Sequence, residues 1–150
     1  FTQIDSVHVL ALNTKGTVYR IHKKSFSVDS VFVPSHPFNF SAKGFARDHQ
    51  GLIWLAAANQ GMYCLDIAKK AYLNIPSPPA VRSEHFISVL LLYQDRSGTF
   101  WVGTNDAMWT YDPKSGKYTH IDAITKVLKE NSGFWACTES LDGRVWFGSN

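Results

Sequence analysis

The sequence predicts an all-β fold of blades of four antiparallel strands, arranged as an incomplete β-propeller. Two observations carry that reading: a Gly-x-x-Trp core that recurs at nearly constant spacing, and short strand-like segments around each copy. The cores are Gly51/Trp54, Gly98/Trp101 and Gly143/Trp146, at steps of 47 and then 45 residues. Four-stranded sheets recurring at such intervals mark a propeller, in which each blade hides its faces against the next.

The clearest unit shows why each element forms. An apolar run, SVLLLYQ, leads into the turn from Asp95 to Gly98; TFWVGT follows it, then MWTYD after Asn105-Asp106-Ala107, then KYTHI after the turn from Pro113 to Gly116. The segments are short and rich in Val, Ile, Thr and aromatics, which suits strands and argues against helices. Asp95 can accept hydrogen bonds from backbone N–H groups of its turn, and Gly98 can take a positive φ that a side chain would oppose. Trp101 then supplies an apolar plate too large for one four-stranded sheet to bury alone. The second unit repeats the pattern from Asp48 through Gly51 and Trp54 to Asp66.

A degenerate earlier copy is expected at NTKGTVYRI, with Asn13, Gly16 and Tyr19 in place of Asp, Gly and Trp. FTQIDSV at the start matches YTHIDAI at residues 118–124, so residues 1–6 are expected to be the last strand of a preceding blade. The blades are placed at about 7–34, 45–76, 86–122 and, in part, 134–150. That makes about three complete blades and two partial ones in a single segment. Phe1 in place of an initiator Met suggests a piece of something longer. At about 45 residues per blade the chain is too short for an ordinary ring, so open blade edges are expected to pair with another copy. A small ring closed by joining the terminal half-blades is the alternative.

Composition excludes several function classes. With 45% apolar and 14% aromatic residues the chain has material for a sizeable core. The net charge of +3 is spread over scattered lysines, which argues against nucleic acid. The longest apolar stretch, from Ile87 to Tyr93, is far below the roughly 20 residues of a membrane helix, so no membrane contact by this segment is expected. Cys64 and Cys137 lie in no metal or redox motif and read as small buried apolar side chains on strands of different repeat units, with a disulfide between them as the alternative. Six single histidines and the Asp-x-x-Gly turns lack the ligand spacing of zinc or calcium sites, so neither metal nor cofactor is expected. No nucleophile elbow or nucleotide-binding glycine loop is present, and no carboxylate pair can be placed face to face, so catalysis is unsupported.

Binding is expected in the loops joining second to third strands and in the inter-blade connections, because variable loops on a rigid scaffold carry most recognition. Asn59, Gln60, Asn105 and Asp106 offer amide and carboxylate groups suited to sugar hydroxyls, and Arg82 and His85 suit a uronic acid or sulfate. Trp109 and Trp135 are candidate stacking platforms for sugar rings or, alternatively, core between blades.

The motif Asp-x-x-Gly-x-(Ile/Phe/Val)-Trp followed by a strand ending in Asp resembles the two-component regulator propeller repeat, with Asp48, Gly51, Trp54, Asp95, Gly98, Trp101, Gly143 and Trp146 at its positions. The resemblance implies the periplasmic sensor region of a bacterial hybrid two-component system, in a parent anchored in the inner membrane. It implies an oligosaccharide ligand released from a complex glycan and a histidine kinase outside this chain. It also implies that this piece is itself no enzyme. The rival readings are a carbohydrate-active propeller enzyme, lyase or glycosidase, and a scaffold used only for dimer contact.

Overall fold

Three four-stranded antiparallel sheets and a two-stranded one, in chain order, make up a computed structural model that describes residues 2–33, 42–57, 61–81, 87–127 and 133–149. The first sheet holds β1 (Thr2–Gln3), β2 (His8–Leu12), β3 (Val18–His22) and β4 (Val28–Phe32). The second holds β5 (Ala42–Arg47), β6 (Ile53–Ala57), β7 (Gly61–Asp66) and β8 (Ala71–Ile75). The third holds β9 (Val89–Gln94), β10 (Phe100–Thr104), β11 (Met108–Asp112) and β12 (Lys117–His120). A short helix, α1 (Asp122–Thr125), leads to the hairpin of β13 (Phe134–Glu139) and β14 (Val145–Ser149). In each sheet the strands pair in sequence order, and β1, β5, β9 and β13 lie side by side as the inner edge of an arc of β-propeller blades.

The repeat motif works through its carboxylate. Asp48 accepts from the N–H groups of Gln50 at 2.9 Å and Leu52 at 2.8 Å, while its other oxygen accepts the indole N–H of Trp54 at 2.8 Å. Asp95 repeats this with Thr99 N–H at 2.9 Å and the Trp101 indole at 2.8 Å. Gly51, Gly98 and Gly143 all take the positive φ their turns require, at 88°, 91° and 82°. In the last copy Ser140 stands where the others have Asp, and the Trp146 indole reaches its hydroxyl at only 3.4 Å.

Each tethered indole lies against the next blade. Trp54 is 3% exposed and packs on Phe100 and Tyr111, with ring centroids 4.6 and 5.9 Å away. Trp101 meets Phe147 at 5.3 Å. Trp146, on the outer face of the last hairpin, is 58% exposed. At the inner edge the blades approach closely enough that a Cβ on Gly103 would sit 2.8 Å from that of Phe134.

Two expectations are corrected. Thr2–Gln3 is not the last strand of a preceding blade: it pairs with β2, Thr2 opposite Leu10, as the first strand of the first blade. The Asn13 to Gly16 turn is not a copy of the Asp turn either, because it joins β2 to β3 and so lies at the opposite end of its blade. The confusion has a physical source. Asn13 accepts from the N–H groups of Lys15 and Thr17 at 2.9 and 3.0 Å, and Gly16 takes φ 84°, so both turns use the same local chemistry. The true counterpart of Asp48 is Asp5, which accepts from the N–H groups of Val7 and His8 at 2.6 Å each.

A second repeated turn has no glycine rule. Between third and fourth strands, Phe26, Lys70 and Gly116 occupy the same place with φ 56°, 51° and 68°. His22 there does the work of Asp66 and Asp112: its Nδ1 accepts from the N–H groups of Lys24 and Ser25 at 3.2 and 3.1 Å.

Two stability outcomes are expected from equilibrium urea unfolding. Trp54→Ala costs about 3–5 kcal/mol because it empties a covered site, whereas Trp146→Ala costs less than about 1 kcal/mol. Phe26→Gly raises stability by about 1 kcal/mol, since it relieves a left-handed residue whose side chain is exposed.

Candidate binding site

The end of the blades that carries the loops between second and third strands is built by a bonded turn, Thr104 to Ala107. The Thr104 hydroxyl donates to the Asp106 carboxylate at 2.7 Å and accepts the Ala107 N–H at 2.9 Å. Asp106 is 5% exposed, and its second oxygen accepts the Val81 N–H at 2.8 Å, 25 residues away in the connector between blades. Asn105 accepts the Ser88 N–H at 3.0 Å and donates its own N–H to the Ser88 carbonyl at 3.2 Å. Of the six residues expected to meet a ligand, the structure thus brings Asn105 and Asp106 together and turns both onto connector backbone. Asn59, Gln60, Arg82 and His85 lie outside the described residues.

Trp109 and its surroundings complete this end. Trp109 is 7% exposed and belongs to the core between the second and third blades, with its ring 4.9 Å from that of His120. Its indole N–H finds no acceptor among the described residues. His120 shares a 3.0 Å hydrogen bond with the Thr125 hydroxyl, which also accepts the Met108 N–H at 3.0 Å. Trp135 is 52% exposed.

Two clefts open at the other end. A groove of about 410 Å³ runs over the outer half of the third blade and is lined by Ser97, Thr99, Thr110, Ser115 and Thr119 among others. A smaller cleft of about 180 Å³ lies between the first and second blades, with Arg20 and Arg47 at its rim.

A clamp between blades at this end has no signature in the repeat motif. The last residue of each inner strand bonds to the preceding blade's turn: Arg47 donates to the Ile4 carbonyl at 3.1 Å, Gln94 accepts the His49 N–H at 2.9 Å, and Glu139 accepts the Arg96 N–H at 2.9 Å. Three residue types perform one job with reversed polarity, so no single letter marks the position. Steps of 47 and 45 residues between Arg47, Gln94 and Glu139 were the signal available.

Titratable groups in the turns serve structure. Burial pushes the Asp95 carboxyl up, yet hydrogen bonds from Ser97, Trp101 and Thr99 outweigh it and hold the group below its ordinary 3.8. The His8 imidazole and the Val7 N–H bring Asp5 down to about 2. Cys64 and Cys137 are free thiols, pushed up by burial to about 11 and about 12. Among the described residues no group of three or more His, Cys, Asp or Glu could hold a metal ion, and no helix is long and apolar enough to cross a membrane.

Comparison with known proteins places this geometry. Residues 84–106, which span β9, the Asp95 turn and β10, match the family described as two component regulator propeller. The match covers the inner half of the third blade, and the second blade carries the same Asp, Gly and Trp arrangement. Curated proteins return no match. Among solved structures, the extracellular domain of BT4673 from B. thetaiotaomicron, described as a one component and also as a hybrid two component system, aligns with TM-score 0.69 and 17% identity over 97% of this chain and 19% of that one. The extracellular domain of BT3049, described as a hybrid two component system of the same organism, aligns with TM-score 0.58 and 18% identity over 98% of this chain and 21% of that one. The GH74 xyloglucanase of Xanthomonas campestris aligns with TM-score 0.56 and 14% identity over 88% and 23%. The chain spans about a fifth of the length of these structures, and at such identities the likeness is one of fold.

Because Asp5 and Asp95 titrate lower folded than unfolded, they contribute stability above about pH 4 that is lost as pH falls toward about 2. Urea midpoints measured across that window should drop, and Asp95→Asn should show a lower midpoint at neutral pH with a shallower acid decline.

Proposed function

We propose that this chain is part of an extracytoplasmic, periplasmic ligand-sensing propeller of a hybrid two-component system. The single observation that supports this most is the two component regulator propeller match at residues 84–106, on blades of matching architecture. The ligand in this reading is an oligosaccharide released from a complex glycan, bound at the loop end of the blades. Asn105 and Asp106 act there as positioning residues. By holding the backbone of Ser88 and Val81 they fix both ends of the connector that carries Arg82 and His85. Arg82 and His85, with Asn59 and Gln60, supply the polar and charged groups for sugar hydroxyls and acidic substituents.

Binding acts in this account by favouring one mutual arrangement of two sensor chains over another, and so reaches a kinase outside this chain. The open edges of the arc, the outer face of β13–β14 among them, supply the contact between copies. This chain binds and does not cleave in this reading; the xyloglucanase likeness, at 14% identity, is one of fold alone.

Calorimetric titration with neutral and acidic oligosaccharides tests the reading. One class should bind, and Arg82→Ala should weaken an acidic member about tenfold, the worth of one charge-assisted contact. Absence of heat across the panel would overturn the oligosaccharide, and appearance of shortened products would put the enzyme in its place.

A further inference from the structure

We propose that the cleft between the first and second blades is a binding site for a small aromatic carboxylate. Its origin can be traced through strand register. Trp54 pairs with Cys64 and Trp101 with Thr110, each two residues before the Asp that ends the third strand; in the first blade the same place, two residues before His22, is Arg20, which pairs with Leu10. Leu10 therefore stands where the other blades carry the indole that fills the seam. A smaller side chain leaves the slot partly empty, with about 180 Å³ lined by Leu10, Val31, Ile53 and Ile67. An apolar cavity of roughly 150 Å³ is enough for benzene.

The rim supplies the charge. Arg47 uses one guanidinium nitrogen on the Ile4 carbonyl at 3.1 Å and has no carboxylate partner among the described residues. Arg20 is held by Asp29 at 3.0 Å through a single nitrogen, an exposed contact that orients the guanidinium and leaves its other donors for a ligand. The remaining acids of this seam are engaged: Asp5 lies against His8 at 3.0 Å, and Asp48 holds its own turn and Trp54. Two guanidinium groups over an apolar slot match a carboxylate on a flat ring, with the ring taking the place of the missing indole. Both walls are complete four-stranded sheets, whereas the larger groove is lined by the third blade alone.

This inference stands on the first seam and not on the oligosaccharide reading, and its test is separate. The chain is titrated calorimetrically with sodium benzoate and with benzyl alcohol as the uncharged control of similar size. Benzoate should bind saturably at one site, and benzyl alcohol about tenfold more weakly or not at all. Arg20→Gln should weaken benzoate about tenfold while leaving the thermal midpoint nearly unchanged. Leu10→Trp, or Leu10→Phe where the indole is not accommodated, should fill the slot and abolish binding in a protein that still unfolds cooperatively. No benzoate binding, equal binding of the alcohol, or undiminished affinity in a folded Leu10 variant would each overturn the proposal. Benzoate binding with silence toward every oligosaccharide would keep it and remove the other reading.

Discussion

A carboxylate that holds a turn with one oxygen and an indole with the other is the constraint on which this architecture depends. Asp48 and Asp95 each fix a five-residue turn through backbone N–H groups and, in the same act, fix the direction of Trp54 and Trp101. A four-stranded sheet is one layer thick and cannot cover such a plate by itself. The indole must therefore be covered by another sheet, and the hydrogen bond decides which face and height that sheet must meet. Removing the acceptor would leave a buried N–H unpaired as well as a loosened ring, so the two costs fall together.

The clamp at the end of each inner strand acts on the same seam by a different route. Arg47, Gln94 and Glu139 each bridge to the turn of the blade before, so the turn that aims an indole forward is also gripped from the blade it meets. Adjacent blades are thus joined twice, by apolar cover and by a polar bridge. A seam with both can lose part of one and persist. The first seam shows this, where Leu10 replaces the indole while the Arg47 bridge remains.

The repeat, the four-stranded sheets and the role of Asp and Gly were legible because they rest on local chemistry at fixed spacing. The carboxylate's second oxygen was not, since a bond from Asp48 to Trp54 needs the strand to have formed first. The first blade was misread for a related reason: the turn at Asn13 uses the same side-chain acceptor and the same left-handed glycine as the turn at Asp48, and only strand pairing tells the two ends of a blade apart. Asn105 and Asp106 were found as polar loop residues, yet whether such groups face solvent or a connector 25 residues away is a long-range matter that one sequence does not encode locally. The clamp residues carried no signal in residue type, because an amide, a carboxylate and a guanidinium serve there interchangeably, and only their spacing marked them.

Blades that touch only their neighbours gain stability seam by seam, so a change at one seam leaves the others nearly as they were. That independence explains how the first blade can depart so far from its fellows. Asp5 keeps its turn but gives its free oxygen to His8, His22 takes the acceptor's place in the outer turn, and Leu10 fills less of the seam, while Trp54 and Trp101 remain seated. A uniform array would have identical seams and no place where a ligand is preferred. Divergence at one seam supplies that asymmetry, and it does so where two rigid sheets meet, so that whatever occupies the gap bears directly on the angle between them.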